Sequence, residues 1–182
     1  MKNIKGSLLK NFVIAIRANR SGVYEEFITD EDWKIINQRI LDAAWYPYET
    51  FKNCFNAVCK VEAKDNIKII EQWGYDYGNH ILDRIYKEPM RKRDLETAMN
   101  SYNGLFKLWF NFGKQHGEII SDNEIHVFIE DFDKDFRLFY YNAIGWMRGF
   151  FNKYLSTRVT TEFLEKSWEG ADKTVVKITW NS

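Results

Sequence analysis

Three histidines, two cysteines and one run of acids are the groups in this chain whose chemistry is worth testing first. The histidines are His80, His116 and His126, and no two have the i, i+4 spacing that sets a helical pair on one metal ion. His126 alternates with Ile125, Val127 and Ile129, so it is expected to point to solvent or into a polar pocket. Cys54 and Cys59 lie five residues apart. On a helix that is about 500° of rotation, so the thiols face different ways. A disulfide between them is not expected, and no second cysteine pair completes a zinc site. They read as small buried or half-buried thiols in a reducing compartment. The run Asp131-Phe132-Asp133-Lys134-Asp135 opens like a calcium loop, but Phe136 and Asn142 stand where that loop needs Gly and Glu. It is expected to be a turn and the start of a helix. There is no Gly-x-Ser-x-Gly elbow, no P-loop and no dinucleotide glycine fingerprint. The chain is therefore not expected to be an enzyme, and no catalytic residue or metal ligand is assigned.

What the sequence offers instead is aromatic surface. Seven Trp, ten Tyr and fourteen Phe make up 17% of 182 residues. Each buried aromatic removes roughly 150–250 Å² from water, so the excess must fill a core, line a cavity or build an interface. Lys plus Arg equals Asp plus Glu at 26 each. That balance lacks the basic surplus of a nucleic-acid binder, and it leaves little repulsion against self-association. Near the N-terminus, Lys10, Asn11 and Arg17 interrupt the apolar positions, and no window approaches the ~18 apolar residues of a membrane span. A cytoplasmic protein is expected.

The elements that must position these groups follow from periodicity. Up to about residue 113 the pattern is helical. Ser7 is expected to cap a helix carrying Leu8, Leu9, Phe12, Val13 and Ile16, with a short helix over Val23 to Ile28 after the Ser21-Gly22 break. Thr29 to Asp32 offers caps and first-turn acids for a helix through Trp33, Ile36, Ile40 and Leu41. Trp45-Tyr46-Pro47-Tyr48 is a corner, with Pro47 starting the next helix through Phe51, Phe55 and Val58. Asp65 is expected to cap a helix through Ile67, Ile70, Trp73, Gly74, Tyr77, Ile81 and Ile85. Gly74 and Gly78 share one face there, at roughly 1 kcal/mol each against Ala, which a close helix approach or room for a ligand would offset. Asp94 to Phe112 forms another helix, stopped by Gly113 or Gly117.

The period then changes to two. His116 to Ile120 and Ile125 to Glu130 form a hairpin turned by Ser121-Asp122-Asn123. Asp133 or Asp135 opens a long helix through Phe139, Tyr140, Trp146, Phe150 and Tyr154. Arg158 to Trp168 and Lys173 to Trp180 form a second hairpin around Glu169 to Asp172. This order predicts a single α+β domain over residues 1–182. An N-terminal helical bundle packs on a four-stranded antiparallel sheet, with a long helix between two hairpins.

Ile4-Lys5-Gly6-Ser7-Leu8-Leu9, Trp45-Tyr46-Pro47 before a helix, and Lys166-Ser167-Trp168 with Lys177-Ile178-Thr179-Trp180 resemble a bacterial family. It is the haem-NO-binding-like (H-NOX-like) group, related to 4-vinyl-reductase-type domains and to the TRAPP trafficking subunits. The resemblance implies a ligand-sensing fold in which helices cover one face of an antiparallel sheet. It also implies roles in signalling or in binding apolar groups, and dimerisation in the trafficking relatives. Haem-binding members use a His on the helix before the first hairpin, and Asn103 to Phe112 has none. Tyr154-Leu155-Ser156-Thr157-Arg158 has the letters of the family's propionate-gripping Tyr-x-Ser-x-Arg. It follows the long helix, whereas the family places that motif before it. Haem is therefore not expected, since iron would lack an axial ligand. Tyr154 is expected to pack, and Arg158 to meet the helix C-terminus. Two readings stay open. One is a haem-free sensory domain holding a small apolar ligand between helices and sheet, lined by Trp73, Tyr77, Trp109, Phe112, Tyr140 and Trp146. The other is a protein-interaction module that forms homodimers or docks a signalling partner.

Overall fold

The computed structural model describes residues 1–85 and 95–181, with the backbone alone at 81–85. The expected Asp94 helix start and the side chains of Ile81 and Ile85 lie outside the described residues. The chain gathers into two compact units, Met1–Asn66 with Lys107–Phe112, and Ile67–Phe106 with Gly113–Ser182.

The first unit is built from helices around a small strand pair. β1 (Asn3–Lys5) pairs antiparallel with β2 (Trp45–Pro47), placing Ile4 opposite Tyr46. Ile4 also bridges Phe110, so chain segments far apart in sequence meet at one buried residue. The expected corner at Trp45 is thus a short strand that ends in the N-cap Pro47 of α3. α1 (Gly6–Ala18) buries Leu9, Val13 and Ile16, the i, i+4, i+7 stripe read from the sequence. Ser7 lies within this helix and does not cap it, because the turn begins one residue earlier, after Lys5. α3 (Tyr48–Ala63) packs against α1, with Phe12 5.9 Å from Phe51 and 5.2 Å from Phe55.

α2 (Asp30–Ile36) begins with a full capping box. The Thr29 hydroxyl accepts the Asp32 N–H, and the Asp32 carboxylate accepts the Thr29 N–H. Asp32 is buried and also takes the Asn53 amide at 2.8 Å, so the box ties α2 to α3. α2 stops at Ile36, short of the expected Ile40 and Leu41. The Arg17 guanidinium donates to the Ile36 and Gln38 carbonyls just past that end. Val23 to Ile28, expected as a helix, is a run of turns.

The second unit carries the sheet. α4 (Ile67–Ile85) and α5 (Leu95–Trp109) precede β3 (Lys114–Ser121) and β4 (Glu124–Glu130). α6 (Arg137–Leu155), β5 (Val159–Glu165) and β6 (Thr174–Trp180) follow, and the strand order is β3-β4-β6-β5, all antiparallel. This is the α+β architecture expected from the change of period, with the long helix between the two hairpins. Asp65 does not cap α4: it sits at φ 55, and its carboxylate takes Lys60 at 3.1 Å. Asp133 turns its carboxylate to the Asp135 N–H at 2.9 Å, so α6 starts after Phe136 instead.

One sheet face holds Ile125, Val127 and Ile129 of β4, opposite Ile178, Val176 and Thr174 of β6, all buried. Helices cover this face. Asn103 of α5 accepts the Gly117 N–H of β3 at 2.7 Å, and Tyr141 of α6 meets Phe163 of β5 at 5.4 Å. The other face carries His116, His126, Phe128 and Lys177.

Candidate functional site

The contact between α4 and α6 is set by four glycines. A Cβ on Gly74 would collide with the Asn142 carbonyl and lie 2.9 Å from the Trp146 nitrogen. One on Gly78 would strike the Trp146 carbonyl. Across the seam, Gly145 faces the Glu71 carbonyl and Gly149 the Tyr75 carbonyl, just as closely. Both helices therefore place Gly-x3-Gly on the same contact, and backbone meets backbone. The stabilisation forgone at Gly74 and Gly78 goes to this approach, so the glycines leave no space there for a ligand.

That seam fixes where the aromatic side chains point. Trp146 presents its backbone to α4 and its ring to Tyr102 of α5 at 5.7 Å and Phe150 at 5.4 Å. Tyr102 also meets Phe151 at 5.1 Å. Tyr140, further toward the start of α6, stacks 4.7 Å from Trp168 and receives the Ser167 hydroxyl hydrogen at 3.3 Å. Burial pushes its phenol above the ordinary value, and the Ser167 and Thr174 hydroxyls partly offset this. The Tyr102 phenol is pushed up further by complete burial; it lies beside Gln115 but makes no hydrogen bond of normal geometry.

Of the six side chains expected to line a ligand site, Trp73, Tyr77, Tyr140 and Trp146 belong to the second unit. Trp109 and Phe112 belong to the first, where Phe112 packs 4.8 Å from Tyr48. Tyr140 and Trp146 are buried, whereas Trp73, Tyr77, Trp109 and Phe112 are half-buried. Trp73 and Tyr77 immediately precede Gly74 and Gly78 on α4. Tyr102, at the middle of the Trp146 cluster, was missed by the sequence reading. Its spacing from Ala98, Met99, Leu105 and Phe106, all buried, is the signal that marks it.

Haem requires an axial ligand, and α5 carries no histidine. His116 stacks 4.9 Å from Phe128, and His126 holds Glu124 at 2.8 Å, both on the sheet face away from the helices. His80 is exposed on α4. Among the described residues, no imidazole faces the side of the sheet that the helices cover, so these residues do not fit a histidine-ligated haem there. Tyr154 packs as expected, 5.5 Å from Phe150 with its hydroxyl 3.3 Å from Ser101. Arg158 does not meet the helix C-terminus: Ser156 closes α6 in the left-handed conformation, and Arg158 starts a new direction with no hydrogen bond to it. Cys54 and Cys59 are buried, and burial pushes both thiols up to about 12. Among the described residues no cluster of three potential metal ligands occurs.

The helices, hairpin, long helix and second hairpin define an α+β fold of the H-NOX type. The chain is similar to an H-NOX protein from S. oneidensis in its Fe(II)NO ligation state, at a TM-score of 0.65 and 13% identity over 97% of this chain and 99% of that one. It is similar to an oxygen-binding H-NOX domain related to soluble guanylate cyclases, at 0.61 and 14% identity over 98% and 95%. It also matches subunit 3 of a trafficking protein particle complex from Naegleria fowleri, covalently bound to palmitic acid. There the TM-score is 0.56 and the identity 18%, over 74% of this chain and 95% of that one. No protein-family model matches the sequence, and no curated protein sequence does. No helix among the described residues is long and apolar enough to cross a membrane.

Proposed function

We propose that this chain is a haem-free sensory domain that holds a small apolar ligand among its aromatic side chains and reports it to a bacterial cytoplasmic signalling partner. The observation that carries this reading is a fold of the H-NOX type over 97% of the chain, with its described histidines off the helix-covered face. The relatives hold a diatomic ligand or a palmitoyl chain, both apolar, which supports an apolar ligand here. Within the second unit Trp73 and Tyr77 keep accessible surface and are the first two residues to test. Tyr140 and Trp146 contribute through the rings they hold in place.

Native and denaturing mass spectrometry of freshly purified protein test the proposal. A stoichiometric non-covalent mass that diminishes in the Trp73→Ala variant supports it. A uniformly ligand-free chain that takes up no apolar fluorescent probe overturns it. A second reading has its own observation. β3 is an edge strand, and Ile119 and Ile120 near its hairpin turn are 43% and 49% exposed. Such an edge suits pairing with a second copy. A sedimentation coefficient that stays constant with concentration at the monomer value would remove the homodimer.

A further inference from the structure

Away from the aromatic interior, α4, α6 and the start of β5 border a half-open groove of about 450 Å³. That size is in the range of small-molecule sites, about 300–1,000 Å³. Its wall includes Tyr75, Arg148, Asn152, Arg158, Thr160 and Thr161. Two arginines and no carboxylate border it, in a chain whose acids and bases balance.

The frame of the groove is already fixed. Asn152 accepts the Val159 N–H at 2.6 Å and donates to the Tyr75 hydroxyl at 3.1 Å, so it joins α6 to β5 and to α4. Arg148 lies 5.3 Å over the Tyr75 ring and contacts Glu71 through Nη1. A guanidinium has five N–H donors, so that contact leaves others to face the groove. One group in this frame is unmatched. Arg158 is exposed, and its side chain makes no hydrogen bond or ion pair with any described residue.

Charge narrows the ligand. Glu71 offsets Arg148, and the nearby Asp76 carboxylate is engaged by the Gln72 amide at 2.8 Å. The excess at the groove is the charge of Arg158. We infer that this groove binds the oxyanion end, carboxylate or phosphate, of a small organic molecule. The Arg158 fork takes the oxygens, Arg148 supports them, and Tyr75 carries the organic body. The site shares no residue with the aromatic set and does not rest on the proposed apolar ligand.

The test is an NMR titration of the full chain, following the Val159 to Thr161 amides and the arginine Nε signals. The probes are benzoate, phenyl phosphate and the neutral benzamide, which keep one body and change the head group. Saturable shifts from either anion, with benzamide silent, support the inference, and the tighter anion identifies the head group. Arg158→Gln weakens that anion by about tenfold or more, the scale of a charged hydrogen bond, and Arg158→Lys restores part of it. No saturable shift from either anion, an equal response to benzamide, or wild-type affinity in Arg158→Gln would overturn it.

Discussion

A methyl group at Gly74 is the sharpest perturbation of the α4–α6 seam. In an exposed helix interior Ala is favoured over Gly by about 0.8–1.0 kcal/mol. Gly104 of α5 is the control, because a Cβ there meets nothing within 4 Å. Gly104→Ala should therefore stabilise by about 1 kcal/mol. At Gly74 the same methyl strikes the Asn142 carbonyl and lies 2.8 Å from its carbon, and these are backbone atoms that cannot rotate aside. Overpacking of this kind costs about 1–3 kcal/mol, and the rigidity of the obstacle puts Gly74 at the upper end. Set against the helix-propensity gain, Gly74→Ala should lose about 2 kcal/mol, a separation of about 3 kcal/mol from the control. For a chain of this size that is a midpoint rise of about 2–4 °C for Gly104→Ala and a fall of about 4–8 °C for Gly74→Ala. Thermal melts by circular dichroism and urea titrations read both. If Gly74→Ala melts with or above Gly104→Ala, the helices do not touch through their glycines and the packing argument fails.

Removing the Thr29 hydroxyl should destabilise the first unit by about 1 kcal/mol, measured as a lower urea midpoint at unchanged m; an unchanged midpoint would mean the capping box contributes nothing. Cys54 and Cys59, with thiols pushed up to about 12, should resist a disulfide reagent at pH 8 in the native protein and react promptly in denaturant. Fast native labelling would place at least one thiol at the surface. Burial raises the folded phenols of Tyr102 and Tyr140 above the ordinary tyrosine value of about 10. Their contribution is therefore complete below about pH 10 and is lost as pH rises above it, because the unfolded chain releases its protons first. The thermal midpoint should fall on the alkaline side of pH 10, and Tyr140→Phe should make that fall shallower. An identical slope in the variant would show that Tyr140 ionises as freely folded as unfolded.

The first hairpin was legible because period-two alternation over Ile125 to Glu130 survives in the burial pattern, whereas β6 was found from its β-branched run, since Thr174, Val175 and Val176 are all buried. β1 and β2 were not, since three residues carry no period and their pairing joins residues far apart in sequence. Helix ends were misread where a competing local bond won, as at Asp133, or where a residue took a left-handed conformation, as at Asp65. Half of the glycine seam could be read from Gly74 and Gly78. The matching pair Gly145 and Gly149 was the signal that would have turned a choice between close packing and a ligand into close packing. Trp73, Tyr77, Trp109, Tyr140 and Trp146 lie on the helices expected, while Phe112 lies beyond α5, which ends at Trp109 rather than Phe112; no periodicity distinguishes a ring that fills a core from one that borders a cavity. The Arg158 groove was invisible for a different reason: its walls come from three elements joined through Asn152, and only tertiary structure brings them together.

The proposed haem-free state is tested by titrating the purified protein with hemin and following the absorption spectrum. A haem-free domain gives no stoichiometric Soret band beyond that of free hemin, and no change when His116 is replaced by Ala. A saturating Soret band that disappears with a single histidine substitution would contradict it.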